Sequence, residues 1–336
     1  MVSIIIPTLN EEQHIQKLLL QLSAQRNVSF EIIVSDGGSK DATLKIAKDI
    51  GAVIVSGEPG RGKQLNKGAQ HAKGEYFLFL HADSGIENKF QLKDSLDFIK
   101  GLPEPSAGHF RLNFFCDDLK VKKFLSFFEW KSSYNRNGTF SGDQGLLISR
   151  ENFDKLGHFS ERFTFLEDKE FALRFSEIGN LVTLPGEIET SGRRFEAEGA
   201  LERSTLNLII MSMFHLGLFD FFVSAPSIYK EALNSKKLHL FPFFQSALHQ
   251  IFGDGFFKAI LRLGTLGRWA NANGWQIFLW LGTRSNDPQK FVAIYDRYFF
   301  GVSRNIAGDI LVSLIITGWL FIKLLTTWVR FRMKAC

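Results

Sequence analysis

The feature that most restricts this chain is the alternation of short apolar runs with amphipathic stripes over its first 80 residues. Residues 2–7 form a continuous, β-branched apolar run, which reads as a strand buried on both faces. A helical stripe follows over 11–25, with Ile15, Leu18, Leu19 and Leu22 on one side and Glu11 and Glu12 in its first turn. The unit then repeats. Residues 31–35 read as a strand, Ser39 as the N-cap of a helix ending near Gly51, and 52–56 as a third strand. A third helix over 61–73, closed by Gly74, leads to a fourth strand over 75–80. Strands and helices joined by short connections predict an α/β domain with a mostly parallel, doubly wound sheet. Beyond it the pattern predicts a turn at 102–105, a strand at 108–115, a short apolar run at 145–148 and a helix over 167–178 with Ala172, Leu173 and Phe175 inward.

In open α/β sheets, ligands sit outside the carboxyl ends of the strands. The polar residues collect there: Thr8, Asn10 and Glu11 after the first strand, Asp36 after the second, His81 and Asp83 after the fourth. A competing signal lies at Gly57-Glu58-Pro59-Gly60-Arg61-Gly62-Lys63-Gln64, which satisfies a P-loop except that Gln64 replaces the magnesium-binding Ser or Thr. It also follows the third strand rather than the first. That reading is therefore rejected, and Arg61, Lys63, Gln64 and Asn66 are read as residues of a donor-side loop.

The motifs form an ordered set: Pro7-Thr8-Leu9-Asn10-Glu11-Glu12, Asp36-Gly37-Gly38-Ser39, Leu80-His81-Ala82-Asp83, Gly142-Asp143-Gln144, Leu166-Glu167-Asp168 and Thr190-Ser191-Gly192-Arg193-Arg194-Phe195. Together they resemble the family 2 glycosyltransferases of GT-A fold, over about the first 225 residues. The resemblance implies an inverting, metal-dependent transfer, of hexosyl type, from a UDP- or GDP-linked sugar to a hydroxyl or phosphate. It implies a donor pocket at Pro7, Thr8, Asn10, Glu11, Asp36 and His81, joined by Lys63, Gln64 and Asn66. Mg²⁺ or Mn²⁺ belongs at Asp83, where it would neutralise the leaving diphosphate. His81 stands where the family usually has the first Asp of Asp-x-Asp. Asp168 takes the catalytic base role, accepting the proton of the attacking hydroxyl. Asp143, Gln144 and Glu167 fall on the acceptor side, and Arg193 and Arg194 suit a diphosphate because guanidinium forks match phosphate oxygens.

Plainer readings stand beside these. Asp36 with its two glycines is also a tight turn, Asp83 a turn residue, Asp168 a helix N-cap, and the arginine pair a solvated one. A catalytically silent nucleotide-sugar binder or membrane scaffold with the same fold is the alternative function.

Charge is distributed unevenly: residues 201–336 carry 15 Lys+Arg against 7 Asp+Glu, and residues 1–200 carry 25 against 28. Basic charge beside aromatic and apolar stretches points to anionic lipid rather than nucleic acid. Residues 206–223 are mainly apolar, 241–281 are rich in Phe, Leu and Trp, and 310–329 hold one charge, Lys323, in a stretch long enough to span a bilayer. The expected organisation is a GT-A domain over 1–200, a helical membrane-proximal region over 201–305, and a transmembrane or anchoring helix with a basic tail over 306–336. Since the donors of such enzymes are cytosolic, the cytoplasmic face of a membrane, as in a bacterial inner membrane, is the expected place. The acceptor is then lipid-linked or a membrane-proximal glycan of the cell envelope. Basic residues on both sides of 310–329 conflict with a single crossing under the positive-inside rule. Three arrangements are open: one crossing that leaves the basic tail outside, a last helix that lies in the interface or re-enters, or a second crossing at 206–223, which would export the basic segment 224–307. Interfacial helices over 206–300 with insertion of the last helix are the expected arrangement. Cys116 and Cys336, the only cysteines, give neither a disulfide framework nor a zinc site. No secretory signal precedes the first strand.

Overall fold

The computed structural model describes residues 1–136, 138–163, 165–233 and 238–335. Cys336 lies outside the described residues, and the Cys116 thiol donates to Asp118 O. The chain forms two compact units, Met1–Phe115 with Phe128–Ser191 and Cys116–Phe127 with Gly192–Cys336.

The first unit is built on seven strands: β1 (Val2–Thr8), β2 (Phe30–Asp36), β3 (Val53–Ser56), β4 (Tyr76–Phe79), β5 (Ser106–Phe115), β6 (Leu146–Ser149) and β7 (Asn180–Ser191). They lie in the order β3-β2-β1-β4-β6-β5-β7. β6 alone runs antiparallel to its neighbours, so the sheet is the mostly parallel one expected. Around it pack α1 (Ile15–Ser23), α2 (Thr43–Asp49), α3 (Arg61–His71), α4 (Gln91–Lys100), the end of α5 (Leu119–Lys131), α6 (Arg150–Leu156) and α7 (Glu167–Ser176). Successive side chains of a strand point to opposite faces. Ile4 and Ile6 accordingly join one core with Leu18, Leu22 and Phe110, and Ile5 joins the other with Leu65, Phe153 and Phe171. Gly68 lets α3 lie close on β1, where a Cβ would come within 2.5 Å of the Ile5 side chain.

Local details differ from the sequence expectation. α1 begins at Ile15, and Glu11 and Glu12 lie in the loop before it. There they have other work: Glu11 N–H donates to Thr43 Oγ1 and Glu12 accepts from Ala42 N–H, tying the β1 loop to the β2 loop. Ser39 does not cap α2, which starts at Thr43 after Ala42. Its hydroxyl instead donates to Asp36. α3 ends at His71, short of Gly74. In α7 the inward residues are Phe171 and Phe175, whereas Leu173 is exposed.

The second unit holds α8 (Arg193–Glu198), α9 (Ala200–His215), α10 (Asp220–Leu233), α11 (Phe241–Phe252), α12 (Phe256–Ala272), α13 (Trp275–Arg284), α14 (Pro288–Ile294), α15 (Phe300–Ser303) and α16 (Ile306–Ala335), with the first part of α5. The stretch 206–223 is not one helix, which corrects the idea of a second crossing there. α9 stops at His215, Gly217 takes a left-handed φ of 68°, and α10 starts at Asp220. Leu206, Ile209 and Met213 of α9 are buried in protein. α16 contains the one candidate span among the described residues, Ile306–Val329, and protein covers little of it.

Candidate active site

The parallel strands β1 and β2 end side by side, with Thr8 registered against Asp36. Thr8 Oγ1 donates to Asp36 Oδ1 over 2.9 Å. The backbone N–H groups of Gly38 and Ser39 donate to Asp36 Oδ2, each over 2.8 Å. Burial pushes the Asp36 carboxyl up, but the Ser39, Gly38 and Thr8 hydrogen bonds outweigh it and hold the group below its ordinary range. Asp36 thus staples the turn that shapes this edge. Asn10, in a left-handed conformation, donates its N–H to Ser39 Oγ and accepts from Lys40 N–H. Pro7 is half-buried between Ile6 and Thr8, which are both buried.

A second group of residues converges beyond β4. His81 Nδ1 lies 2.8 Å from Asp143 Oδ1. Gly142 N–H donates to Asp168 Oδ2 over 2.5 Å. Gly142 is wedged between the two, since a Cβ there would lie 2.9 Å from His81 Nε2 and 3.3 Å from Asp168 Oδ2. Asp168 is the second residue of α7, where the helix dipole favours an anion, and it is not the N-cap; that position is Leu166. Leu166 has φ 73°, costly for a residue with a branched side chain, and the turn it makes delivers Glu167 and Asp168 together.

Arg61, at the start of α3, connects the cluster. Its Nε is 3.6 Å from Glu167 Oε1, and Gly62 permits the approach because a Cβ would stand 2.9 Å from Ser160 O. Burial pulls the Arg61 guanidinium down, yet the fields of Glu167, Asp168, Asp143 and Asp83 outweigh it and hold the group above its ordinary value. Four carboxylates that are scattered in sequence therefore share one electrostatic neighbourhood. Glu167 is fully buried, and neither of its oxygens has a hydrogen-bond partner among the described residues. Its carboxyl is pushed up by burial and by Asp168, and pulled back by Arg61 and His81.

The next residue, Lys169, donates to Phe140 O, and burial lowers its ammonium against the pull of Asp168 and Asp143. Lys131, at the end of α5, is lowered to about 7 by burial and by the Lys169 charge. No sequence motif marked these two lysines. Arg61 had a signal, the failed P-loop, but nothing local showed that it would face four acids.

Several expected site residues are placed elsewhere. Gln144 is fully buried, and its amide donates to Phe110 O and Ser132 O and sits 2.8 Å from His109 Nδ1. Gln64 is spent on Thr8 O and Ser35 O, and Asn66 on Phe159 O and the Phe159 N–H. These three amides brace the loops around the site from behind. Their side chains are committed inside the protein to backbone groups of these loops. Lys63 is exposed and paired with Glu58. Arg193 and Arg194 open α8 in the second unit, where Arg194 acts on the Tyr229 phenol.

The bracing has a measurable consequence at His109, which is buried and has its Nε2 unpartnered among the described residues. Burial, with a contribution from Lys169, lowers its imidazole to about 4 from 6.5. A depressed pKa makes the neutral form native, so this contribution is present above pH 6.5 and lost as pH falls toward 4. Stability should fall by about 3 kcal/mol across that window. Urea midpoints at pH 7 and pH 4 check this, with a smaller drop expected in His109→Gln.

As to metal, no group of three or more His, Cys, Asp or Glu residues forms a cage among the described residues. The acid-rich, oxygen-donor neighbourhood of Asp83 fits Mg²⁺ or Mn²⁺.

Residues 3–156 match the profile of the family described as Glycosyl transferase family 2. Poly(ribitol-phosphate) beta-N-acetylglucosaminyltransferase TarS of Staphylococcus aureus (strain Mu50 / ATCC 700699) is 36% identical over 106 residues, which cover 29% of this chain and 18% of TarS. The chain thus spans less than a fifth of that relative's length. The PGL/p-HBAD biosynthesis glycosyltransferase of Mycobacterium bovis (strain BCG / Pasteur 1173P2) is 29% identical over 194 residues, covering 54% of this chain and 72% of the relative. Among solved structures, S. aureus TarS 1-349 in complex with UDP superposes with a TM-score of 0.49 at 19% identity, covering 89% of this chain and 91% of that one. The mannosyltransferase PcManGT from Pyrobaculum calidifontis, in complex with GDP-Man and Mn²⁺, superposes with a TM-score of 0.48 at 15% identity, covering 95% and 87%.

Proposed function

We propose, from the match of residues 3–156 to the glycosyl transferase family 2 profile, that the chain is an inverting glycosyltransferase that moves a hexosyl group from a UDP- or GDP-linked donor to a membrane-proximal acceptor. The observation that carries the reading is the gathering of His81, Asp143, Glu167 and Asp168 around Gly142 and Arg61, through the 2.8 Å His81–Asp143 contact, the 2.5 Å Gly142–Asp168 hydrogen bond and the 3.6 Å Arg61–Glu167 pair. Each position has a task in such a reaction. Thr8, Asn10, Glu11 and Asp36 shape the nucleotide side of the edge. Asp83 would hold Mg²⁺ or Mn²⁺, which when bound neutralises the diphosphate as it leaves. Asp168 takes the proton from the acceptor hydroxyl, with Gly142 N–H fixing which carboxylate oxygen faces away from the backbone. Asp143 and His81 form the adjacent wall.

The proposal places the acceptor on lipid or on envelope glycan because the second unit carries the basic charge and the uncovered α16. The cytoplasmic face of a membrane follows from the same two features. Nucleic acid is not proposed as a partner.

Thermal unfolding with a panel of nucleotide sugars tests the donor half. A donor present at a hundred times its Kd should stabilise the protein by about 2.7 kcal/mol. That gain should require Mg²⁺ or Mn²⁺ and disappear in Asp83→Ala. Stabilisation of equal size without metal would remove the metal assignment, and no shift with any UDP or GDP sugar would remove the donor class.

A further inference from the structure

The candidate span in α16 has an unusual distribution of polarity. Ile310, Leu311, Leu314, Ile315, Ile322 and Leu325 are each more than half exposed. They recur three or four residues apart and so form one stripe. Asp309 and Ser313 face the other way, into protein. Asp309 Oδ1 accepts from Asn271 Nδ2 over 2.8 Å. Ser313 sits on Gly267, where a Cβ would come within 1.9 Å of Ser313 Oγ.

These contacts also set direction. Asn271 meets Asp309 and Gly267 meets Ser313, so α12 and α16 run antiparallel. Farther along, Trp319 packs on Phe244 and Phe321 on Phe252 of α11. From Asp309 to Phe321, about 18 Å of helix, α16 is fastened to its own unit. On α12, Phe256, Phe257, Ile260 and Leu261 are exposed and add a second apolar stripe.

We propose that α16 does not cross a bilayer but lies in the plane of an anionic lipid surface, with α12 seated beside it and both helix ends on one side. A crossing α16 would draw α12 with it, and α12 carries Lys258 and Arg268 exposed and Arg262 paired with Asp254. A charge brought to the bilayer centre is strongly disfavoured. In the interfacial plane those groups stay at headgroup level and only the stripes enter the acyl boundary. Charge complementarity selects the surface, because residues 201–336 carry 15 Lys+Arg against 7 Asp+Glu. Arg284 over the Trp280 ring at 3.8 Å and Arg304 over Phe300 at 4.6 Å supply aromatic and basic anchors of the kind that sit at headgroup depth. The positive-inside conflict disappears, since Arg304 before the helix and Arg330, Arg332 and Lys334 within its last turns need not be separated.

The inference rests on the membrane attachment proposed above, and the test separates the two. The full chain with Cys116→Ser keeps Cys336 as its one thiol. Expressed in bacterial cells, it should sediment with membranes, and a membrane-impermeant maleimide should label Cys336 only after lysis. Labelling in intact spheroplasts would show that α16 crosses and overturn the in-plane arrangement while leaving attachment standing. A Cys336 still shielded after lysis overturns it as well, because an in-plane helix leaves both ends in reach of water. A chain recovered wholly in the soluble fraction removes attachment and this arrangement together.

Discussion

Asp168→Asn is expected to lower kcat/KM for glycosyl transfer by about 10²–10⁴-fold, the usual contribution of a positioned general base. The substitution keeps the shape of the side chain and one oxygen to accept from Gly142 N–H, so the turn at Leu166 and the start of α7 should persist. It removes the lone pair that takes the proton. Donor binding, read by thermal shift with metal, should stay within a factor of about two, because a proton acceptor contributes to the transition state rather than to uniform binding. A variant with wild-type turnover would reassign the base. Loss of donor binding together with loss of turnover would instead make Asp168 part of the donor site.

The sheet was legible because its signal is local and periodic. Continuous apolar runs such as Ile4, Ile5 and Ile6 can be buried only between two helical layers, and the structure buries all three completely. β7 carries no comparable mark, since Pro185 and Gly186 interrupt it; pairing with β5 holds it in place. The ends of elements were less legible for a related reason. Ser39 satisfies the local rule for an N-cap, but Asp36 competes for its hydroxyl across a turn that closes only when β1 and β2 lie side by side. In the candidate site, sequence order singled out the carboxylates but not their arrangement. Gln64, Asn66 and Gln144 are chemically suited to a ligand, and the fold instead spends them on backbone carbonyls inside the protein. Arg61 shows the converse. Its meaning depends on four residues between 22 and 107 positions away, so no window around it could have revealed the role.

Arg61→Met follows from that arrangement as the second large effect. The substitution keeps much of the stem that packs at the start of α3 and deletes the charge facing Glu167, Asp168, Asp143 and Asp83. Breaking a buried pair costs about 3–5 kcal/mol. Arg61 is 37% exposed in its side chain and 3.6 Å from Glu167, so solvent screening reduces that figure. A loss of about 1–3 kcal/mol is expected at pH 7 after that discount. Turnover should fall about 10²-fold in addition, as for removal of one preorganised electrostatic group. The loss has an upper bound because Glu167 can respond by binding a proton. Its carboxyl already lies above the ordinary 4.5, through burial first and Asp168 second, with Arg61 as the main restraint. A raised folded pKa means that the contribution is favourable below pH 4.5 and is lost as pH climbs through the folded value. Arg61→Met should raise that value further and widen the window in which Glu167 stays protonated. Glu167→Gln should therefore stabilise the protein at pH 7 and lose that advantage by about pH 4. Combined with Arg61→Met, it should recover most of the stability lost by the arginine variant. Denaturant midpoints for the two single variants and the double give the coupling directly. Additive effects would show that the guanidinium is not compensating Glu167, and the cluster would then be held by packing at Gly62 and the turn at Leu166 alone.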